Sequence, residues 1–561
     1  MIRFIKKNYT IIVIALVYLW ACGSIITYRI DEAPPGIKTI RIGHWQLETG
    51  VRDAFIELAK DYAKTHPDVK VIQDAIPESV YGQWTSTQLM GETGPDILEM
   101  GMAPTQVLLS YYNRYMIPLS SYASNPNPYN KGNEFENLPL RQTYKDGMRS
   151  GYLTEMQEYM QIPLSMFAVR IFYNKDLLKK LTGSDKVPRN FAEFKKACQI
   201  IERQKNSVGK QYVPIVGSKY HFGLWEWAMC DVLSYGVMDK ADFNRDGYVG
   251  NDELYIAVKT GRMDFNYEPF KAKFQMVREL SDFCQPGYTG LSRDEGVFLF
   301  VQQKAVFMTT GTWDANSLVD QTKGKFEVGL MDFPLPDKDD PEYGGVIKGP
   351  RYEQVSTGFP FAIMRSSKNL DTAIDFMLFL TSKENNEKLN KIIGWIPAIK
   401  NTRTDPFLAD FEPRFEGIYG NSNLFLGGET WIKWMQVYSN YQCKKISYDE
   451  LVREFEPFYK EKGLYDFMEL QMDWKRTIIK KEAFITALWA DANLADPVAA
   501  KSFWTKYRTQ AARLQVFPEI DRAKQMCLVE KGPTLNSNIG PYEYSPEVIQ
   551  KIKSKLKNKN K

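Results

Sequence analysis

The densest run of chemistry-bearing side chains is Asp242-Phe243-Asn244-Arg245-Asp246-Gly247-Tyr248-Val249-Gly250-Asn251-Asp252-Glu253. Calcium is a hard cation that takes oxygen ligands from fixed positions of such a loop, the last being a glutamate that binds through both oxygens. Here Asp242, Asn244 and Asp246 offer side-chain oxygens, Gly247 supplies the sharp turn, Tyr248 offers its carbonyl, Val249 points inward and Glu253 closes the set. The spacing predicts a calcium site, against the plainer reading of an acidic solvated turn. A lone loop in a calcium-rich compartment fits a structural clip, because sensor loops come as paired units. Asp337 to Glu342 is acidic too, but it lacks the spacing and contains Pro341, so it reads as a turn.

Bond-making chemistry finds less material. The three histidines stand at 44, 66 and 221, too few and too scattered for a histidine-based zinc or triad mechanism. The six cysteines, at 22, 198, 230, 284, 443 and 527, include no C-x-x-C pair, which leaves metal clusters unsupported. No G-x-S-x-G elbow, H-E-x-x-H helix, phosphate loop or dinucleotide fingerprint is present, so energy for any transport must come from a partner. A glycoside hydrolase needs only two suitably placed carboxylates, and 68 acidic residues keep that alternative open.

The elements that would position a site alternate. Lys38 to His44 reads as a strand, and Gly50 to Lys64 places Val51, Phe55, Leu58, Ala59 and Tyr62 at helical spacing. Val69 to Ala75 is a second strand, Tyr81 to Met90 a second helix, and Pro95 to Met100 a third strand ending at Gly101. Such alternation predicts an α/β fold with parallel pairing and right-handed crossovers. Ligands in these sheets sit beyond the carboxyl ends of strands, which gathers His44, Trp45, Glu48 and the turn from Glu99 to Met102 at one rim. Further on, Ala168 to Tyr173 reads as a strand, and Asn190 is placed to cap a helix with Phe191, Phe194 and Ala197 on its apolar face.

Residues 9–28 carry no charged side chain and follow Arg3, Lys6 and Lys7. A stretch of that length matches the roughly 30 Å hydrocarbon core of a bilayer, with the basic flank held inside. Two readings stand side by side: an uncleaved anchor, or a lipoprotein signal ending at Cys22, where Trp20 fits poorly in the cleavage box. Either tethers the remainder to a membrane surface, outside the cytoplasm. Pro34-Pro35-Gly36 reads as a stiff tether, with folding from near Thr39. A chain of 561 residues with 44% hydrophobic and 25% charged residues is long enough for two or more ordinary globular domains. Its net charge of +4 gives no footprint for nucleic acid, and the basic tail from Lys551 to Lys561 reads as a solvated terminus.

Five matches in order give the chain a resemblance to a known family: Ile40 to Trp45, Gly94 to Met100, Ile162-Pro163 through Phe172-Tyr173-Asn174-Lys175-Asp176-Leu177 to Phe191, Phe298 to Trp313, and Ala373 to Phe379 with Gly394-Trp395-Ile396-Pro397. The succession resembles the extracellular solute-binding proteins of bacterial ABC importers, in particular those for sugars and oligosaccharides. The resemblance implies a type II periplasmic-binding-protein-like α/β fold: two lobes joined by a hinge and closing over a ligand in the cleft. It implies a first lobe of residues 39–150 completed by about 300–365, and a second of 151–299 completed by about 366–401. It stops near Thr402, leaving 402–550 as a largely helical extension, with helical patterns over Ser447 to Tyr465 and Pro497 to Leu514, read as an elaboration of the second lobe or a surface cap.

Sugars present apolar C–H faces and rings of hydroxyls, so their sites combine flat aromatics with Asp, Glu, Asn or Arg. Carried over motif by motif, the resemblance implies ligand contacts at Trp45, Glu99, Trp313 and Trp395, with Tyr81, Trp84, Trp225 and Trp227 as additions. For each tryptophan the competing reading is core packing. Asp96 reads as a structural strand-end residue. The implied function is capture of a carbohydrate for delivery to ABC permease subunits, without bond chemistry. The alternatives are a glycan-binding module of a sensor or docking system, and the glycoside hydrolase.

Overall fold

The computed structural model describes residues 36–511, apart from 48, 103–104, 154–155, 157, 206–207, 244–248, 354–355, 419–423, 425, 498–499, 502, 505–506 and 509–510, together with residues 18 and 20. The remainder of the expected anchor over 9–28, Cys22, Glu48, most of the helix expected over 497–514 and the basic tail lie outside the described residues. Among the described residues no helix is long and apolar enough to cross a membrane.

Twelve strands are described: β1 (Lys38–His44), β2 (Val69–Ala75), β3 (Ile97–Glu99), β4 (Tyr152–Leu153), β5 (Glu158–Tyr159), β6 (Ile162–Phe167), β7 (Val169–Asn174), β8 (Val213–Ile215), β9 (Ala305–Gly311), β10 (Val328–Met331), β11 (Ser356–Ile363) and β12 (Ile396–Pro397). The helices that matter for the site and the cores are α1 (Thr49–Ala63), α2 (Glu78–Gly91), α3 (Lys175–Thr182), α4 (Phe191–Glu202), α5 (Lys219–Trp225), α6 (Asn251–Lys259), α7 (Glu268–Asp282), α8 (Arg293–Val301), α9 (Thr312–Thr322), α10 (Leu370–Leu380), α11 (Lys383–Ile393), α12 (Gly428–Gln442) and α13 (Tyr448–Leu494). The chain divides into two compact units, Met1–Phe167 with Val355–Ala409, and Ala168–Gln354 with Asp410–Lys561.

The first unit is built on a six-stranded sheet of order β12-β6-β11-β3-β1-β2. Its β2-β1-β3 part is parallel, as the strand and helix alternation requires. The rest is antiparallel, with β11 inserted between β3 and β6 and β12 on the far edge. Helix α1 buries Val51, Ala54, Phe55, Leu58 and Tyr62 on one face and leaves Ile56 exposed on another. That is the stripe a 3.6-residue period produces.

The second unit holds a four-stranded sheet of order β10-β7-β9-β8. Asn190 caps α4 through a 2.9 Å bond from the Glu193 amide, and Phe191, Phe194, Cys198 and Ile201 fall on its buried face. The same core takes in Trp434, Val437 and Tyr441 from α12 and Leu451, Phe455, Tyr459 and Phe467 from α13. One face of α12 and of the first part of α13 is therefore part of this unit's interior rather than a covering laid on it.

The expected lobe boundaries need correcting. Residues up to 354 remain with the second unit, where β9 pairs with β7 and β8, whereas 355–409 complete the first. The reason is the pairing of β11 with β3 and β6, a long-range choice that a local hydrophobic pattern does not encode.

Candidate functional site

In the first unit, β1 ends at His44 and delivers Trp45 and Gln46 beside the end of β3. Glu99 is fully buried there, its Oε2 accepting from the Trp45 amide at 3.1 Å and its Oε1 from the Gln46 amide side chain at 3.0 Å. The carboxylate thus holds the turn that carries Trp45. Tyr81 is buried as well, and its hydroxyl donates to the carbonyls of Glu99 at 2.8 Å and Gly43 at 3.3 Å. Burial raises its pKa far above that of an ordinary phenol, so it stays protonated and serves as packing. The Trp45 ring meets Tyr81 edge-on at 5.0 Å, and Trp84 tilts against Tyr81 at 5.6 Å. Both indoles are half-buried. Gly101 has φ +150°, and a Cβ there would stand 3.3 Å from the Trp45 ring, so the indole lies against bare backbone.

In the second unit, the end of β9 and the first turn of α9 repeat this device. A Cβ on Gly311 would fall 2.3 Å from the Trp313 ring, so glycine is required for that half-buried indole to lie where it does. Asp314 accepts from Arg293 and from the Thr310 hydroxyl, and the Arg293 guanidinium sits 5.2 Å from the centre of the Tyr220 ring. Next to it His221 is buried, its ring nitrogens facing the carbonyls of Thr309 at 2.7 Å and Arg293 at 3.2 Å. Desolvation by burial is the leading cause of its lowered pKa, with the two carbonyl contacts acting the other way. Trp313, Tyr220, Arg293 and Asp314 form one surface of aromatic faces beside a donor and an acceptor.

The other expected contacts separate. Trp395 is buried in the first unit's core, edge-on to Phe167 at 4.8 Å and to Phe359 at 5.3 Å. Trp225 is fully buried in the second unit's core against Phe194 and Phe333. Neither indole reaches a surface, so for these two the expectation of ligand contact gives way to core packing. Trp227 is exposed, with the Arg351 guanidinium stacked 3.4 Å above its ring. Asp96 is structural, as expected, accepting from the Arg41 amide at 2.8 Å and the Ser367 hydroxyl. Gln46, Tyr220, Arg293 and Asp314 were not singled out from the sequence. Gln46 and Asp314 directly follow Trp45 and Trp313, which were, so adjacency along the chain was the available signal for those two; Tyr220 and Arg293 reach the site from distant parts of the chain and carried no local signal.

Of the expected calcium loop, Asn244, Asp246 and Tyr248 lie outside the described residues. Val249 is fully buried and Glu253 nearly so. Glu253 accepts from the Phe243 amide and the Gly250 amide, both at 3.0 Å, which ties the start of the loop to the start of α6. Among the described residues no group of three or more acidic, histidine or cysteine side chains is arranged to hold a metal.

Two discontinuous α/β units, each with a mixed sheet and a tryptophan seated on glycine, define the architecture of a solute-binding protein. Residues 48–387 match the family described as bacterial extracellular solute-binding protein, and the chain belongs to that family. An uncharacterised ABC transporter extracellular-binding protein of Pyrococcus horikoshii is 22% identical over 382 residues, 66% of this chain and 74% of its own length. Among solved structures, apo RafE from Streptococcus pneumoniae is 16% identical with a TM-score of 0.52, covering 76% of this chain and 99% of its own. The GacH receptor of Streptomyces glaucescens, solved unliganded and with acarbose, is 17% identical with a TM-score of 0.53, covering 75% and 97%. Membership of an extracellular family puts the working compartment outside the cytoplasm.

Proposed function

We propose that this protein captures a sugar or oligosaccharide outside the cytoplasm and hands it to the permease subunits of an ABC importer. The observation that carries the reading is the indole laid over glycine beside hydrogen-bonding side chains, found once in each unit: Trp45 with Gln46, and Trp313 with Tyr220, Arg293 and Asp314. A sugar's C–H face stacks on an indole, an arginine donates to its hydroxyls, and a carboxylate accepts from them. Relatives support it: RafE has been solved with raffinose and GacH with acarbose. Residues 9–28, or a lipidated Cys22, would tether the protein to the membrane, on the strength of their composition.

The test is calorimetric titration of the protein with a panel of mono- and oligosaccharides, followed by analysis of the sugar for products. Saturable binding with the sugar recovered intact is expected. Slow disappearance of the sugar would turn the reading toward a glycoside hydrolase, and no binding to any glycan would overturn it.

Calcium is part of the proposal, held by Asp242, Asn244, Asp246, Tyr248 and Glu253 as a structural clip. The buried Val249 and the inward-turned Glu253 support that reading. Bound, the ion would add stability to the segment between Asp242 and α6.

A further inference from the structure

The chain passes between its two units three times, at Phe167–Ala168, at residues 354–355 and at Ala409–Asp410. Within the second unit, the ends of these three passages converge on one side chain. Arg170, two residues past the first passage, has a guanidinium only 2% exposed. Its Nη1 donates to Val169 O at 2.8 Å and to Glu353 Oε1 at 2.9 Å, and its Nη2 to Glu353 Oε2 at 3.1 Å and to Glu412 O at 3.0 Å. Its Nε donates to Asp410 O at 2.8 Å. An arginine has five N–H donors in a fixed plane, and these five bonds use each of them.

The partners are not a random sample of the unit. Glu353 is the last described residue before the second passage, and Asp410 is the first residue after the third. Glu353 is tied in turn to the third strand of chain: its Oε2 accepts from the Arg414 amide at 3.0 Å, and its own amide donates to Arg414 O at 2.8 Å. Asp332 stands 3.3 Å from the Arg170 Nε and also accepts from Arg414. A planar fork bonded to three separate segments transmits a displacement of any one to the other two. Lysine, a single point charge on a flexible stem, could not span them.

We propose that Arg170 is a positioning residue that clamps the second unit's ends of all three connections, so that they hold or loosen together. The clamp adds a mechanical role to the binding function and stands without it.

Hydrogen exchange on the full chain, read by mass spectrometry, tests this with Arg170→Lys, Glu353→Gln and Asp332→Asn. Loss of a charge-assisted hydrogen bond should speed local exchange by about tenfold. With either Arg170→Lys or Glu353→Gln, exchange at Tyr352–Glu353 and at Glu412–Arg414 should rise together, while α4 and β9 keep their protection. Asp332→Asn, altering a half-exposed partner, should leave the clamp intact. Faster exchange confined to one segment would overturn the proposal. So would a uniform rise over the whole unit with a fall in melting temperature, or failure of both clamp variants to fold, because each marks Arg170 as general core support.

Discussion

Glu226 sits in a π-helical turn, Glu226–Cys230, with the Tyr438 hydroxyl donating to one carboxylate oxygen and the Gln442 side chain to the other. Burial is the main reason its pKa rises from the ordinary 4.5 to about 7, with the Tyr438 bond and the nearby Lys273 acting the other way and Asp231 adding to the rise. A folded-state pKa above the unfolded one contributes stability that is complete below about 4.5 and disappears as pH climbs through about 7. Glu226→Gln should therefore flatten the stability profile over that window and raise stability at pH 8 by about 1–2 kcal/mol. Urea melts at pH 5 and pH 8 would check it. For the sugar, Trp45→Ala and Trp313→Ala should each weaken binding by about 1–2 kcal/mol, or roughly tenfold, in calorimetry, with the melting curve little changed because both rings are half-buried. Trp225→Ala or Trp395→Ala should instead cost about 3–5 kcal/mol of stability. That contrast marks what the residue types could and could not say. Trp45, Trp313 and Trp395 lie in family motifs and Trp225 was an addition to them, and only burial, which depends on distant partners such as Phe194 and Phe359, separates the four.

Among elements, α12 begins without a side chain of its own to cap it, since Gly427 occupies the cap. The cap comes from α13: buried Asp466 accepts from the Thr430 amide at 2.8 Å and the Thr430 hydroxyl at 2.6 Å. Asp466→Ala should cost about 1–3 kcal/mol, visible as a lower urea midpoint, because it strands buried donors at a helix start. Strands β1 and β2 and the start of α13 were legible, their apolar periods and the Ser447 cap being local signals. The helical pattern over Ser447 to Tyr465 covers only the first part of α13, whereas the helix runs on to Leu494. Its later surface explains why: Tyr465, Met468, Met472 and Trp489 are exposed, so the apolar residues no longer mark one buried face.

At the scale of the whole molecule, the chain past 410 supplies Trp434, Phe455, Tyr459 and Phe467 to the core around Trp225. A protein ending at Ala409 should fail to fold its second unit and should aggregate, which expression followed by size-exclusion chromatography would show. Chelation should lower the melting temperature of the full chain and leave sugar affinity unchanged, if calcium is the clip its loop suggests. The presence of two units could be read from the family motifs, but their boundaries could not. Three passages between units are set by which strands pair, and the insertion of β11 between β3 and β6 is decided by contacts formed after more than half the chain has been made.

That insertion has a bearing on synthesis. The sheet of the first unit stays open until β11 leaves the ribosome, because β3 and β6 have no direct pairing to close it. All of Ala168–Gln354 is translated in between. At about 5–20 residues per second, the gap lasts on the order of 10 to 40 s. For a chain whose family works outside the cytoplasm, those seconds are an interval in which the nascent polypeptide can still be threaded through a pore, before topology locks it into a shape too wide to pass.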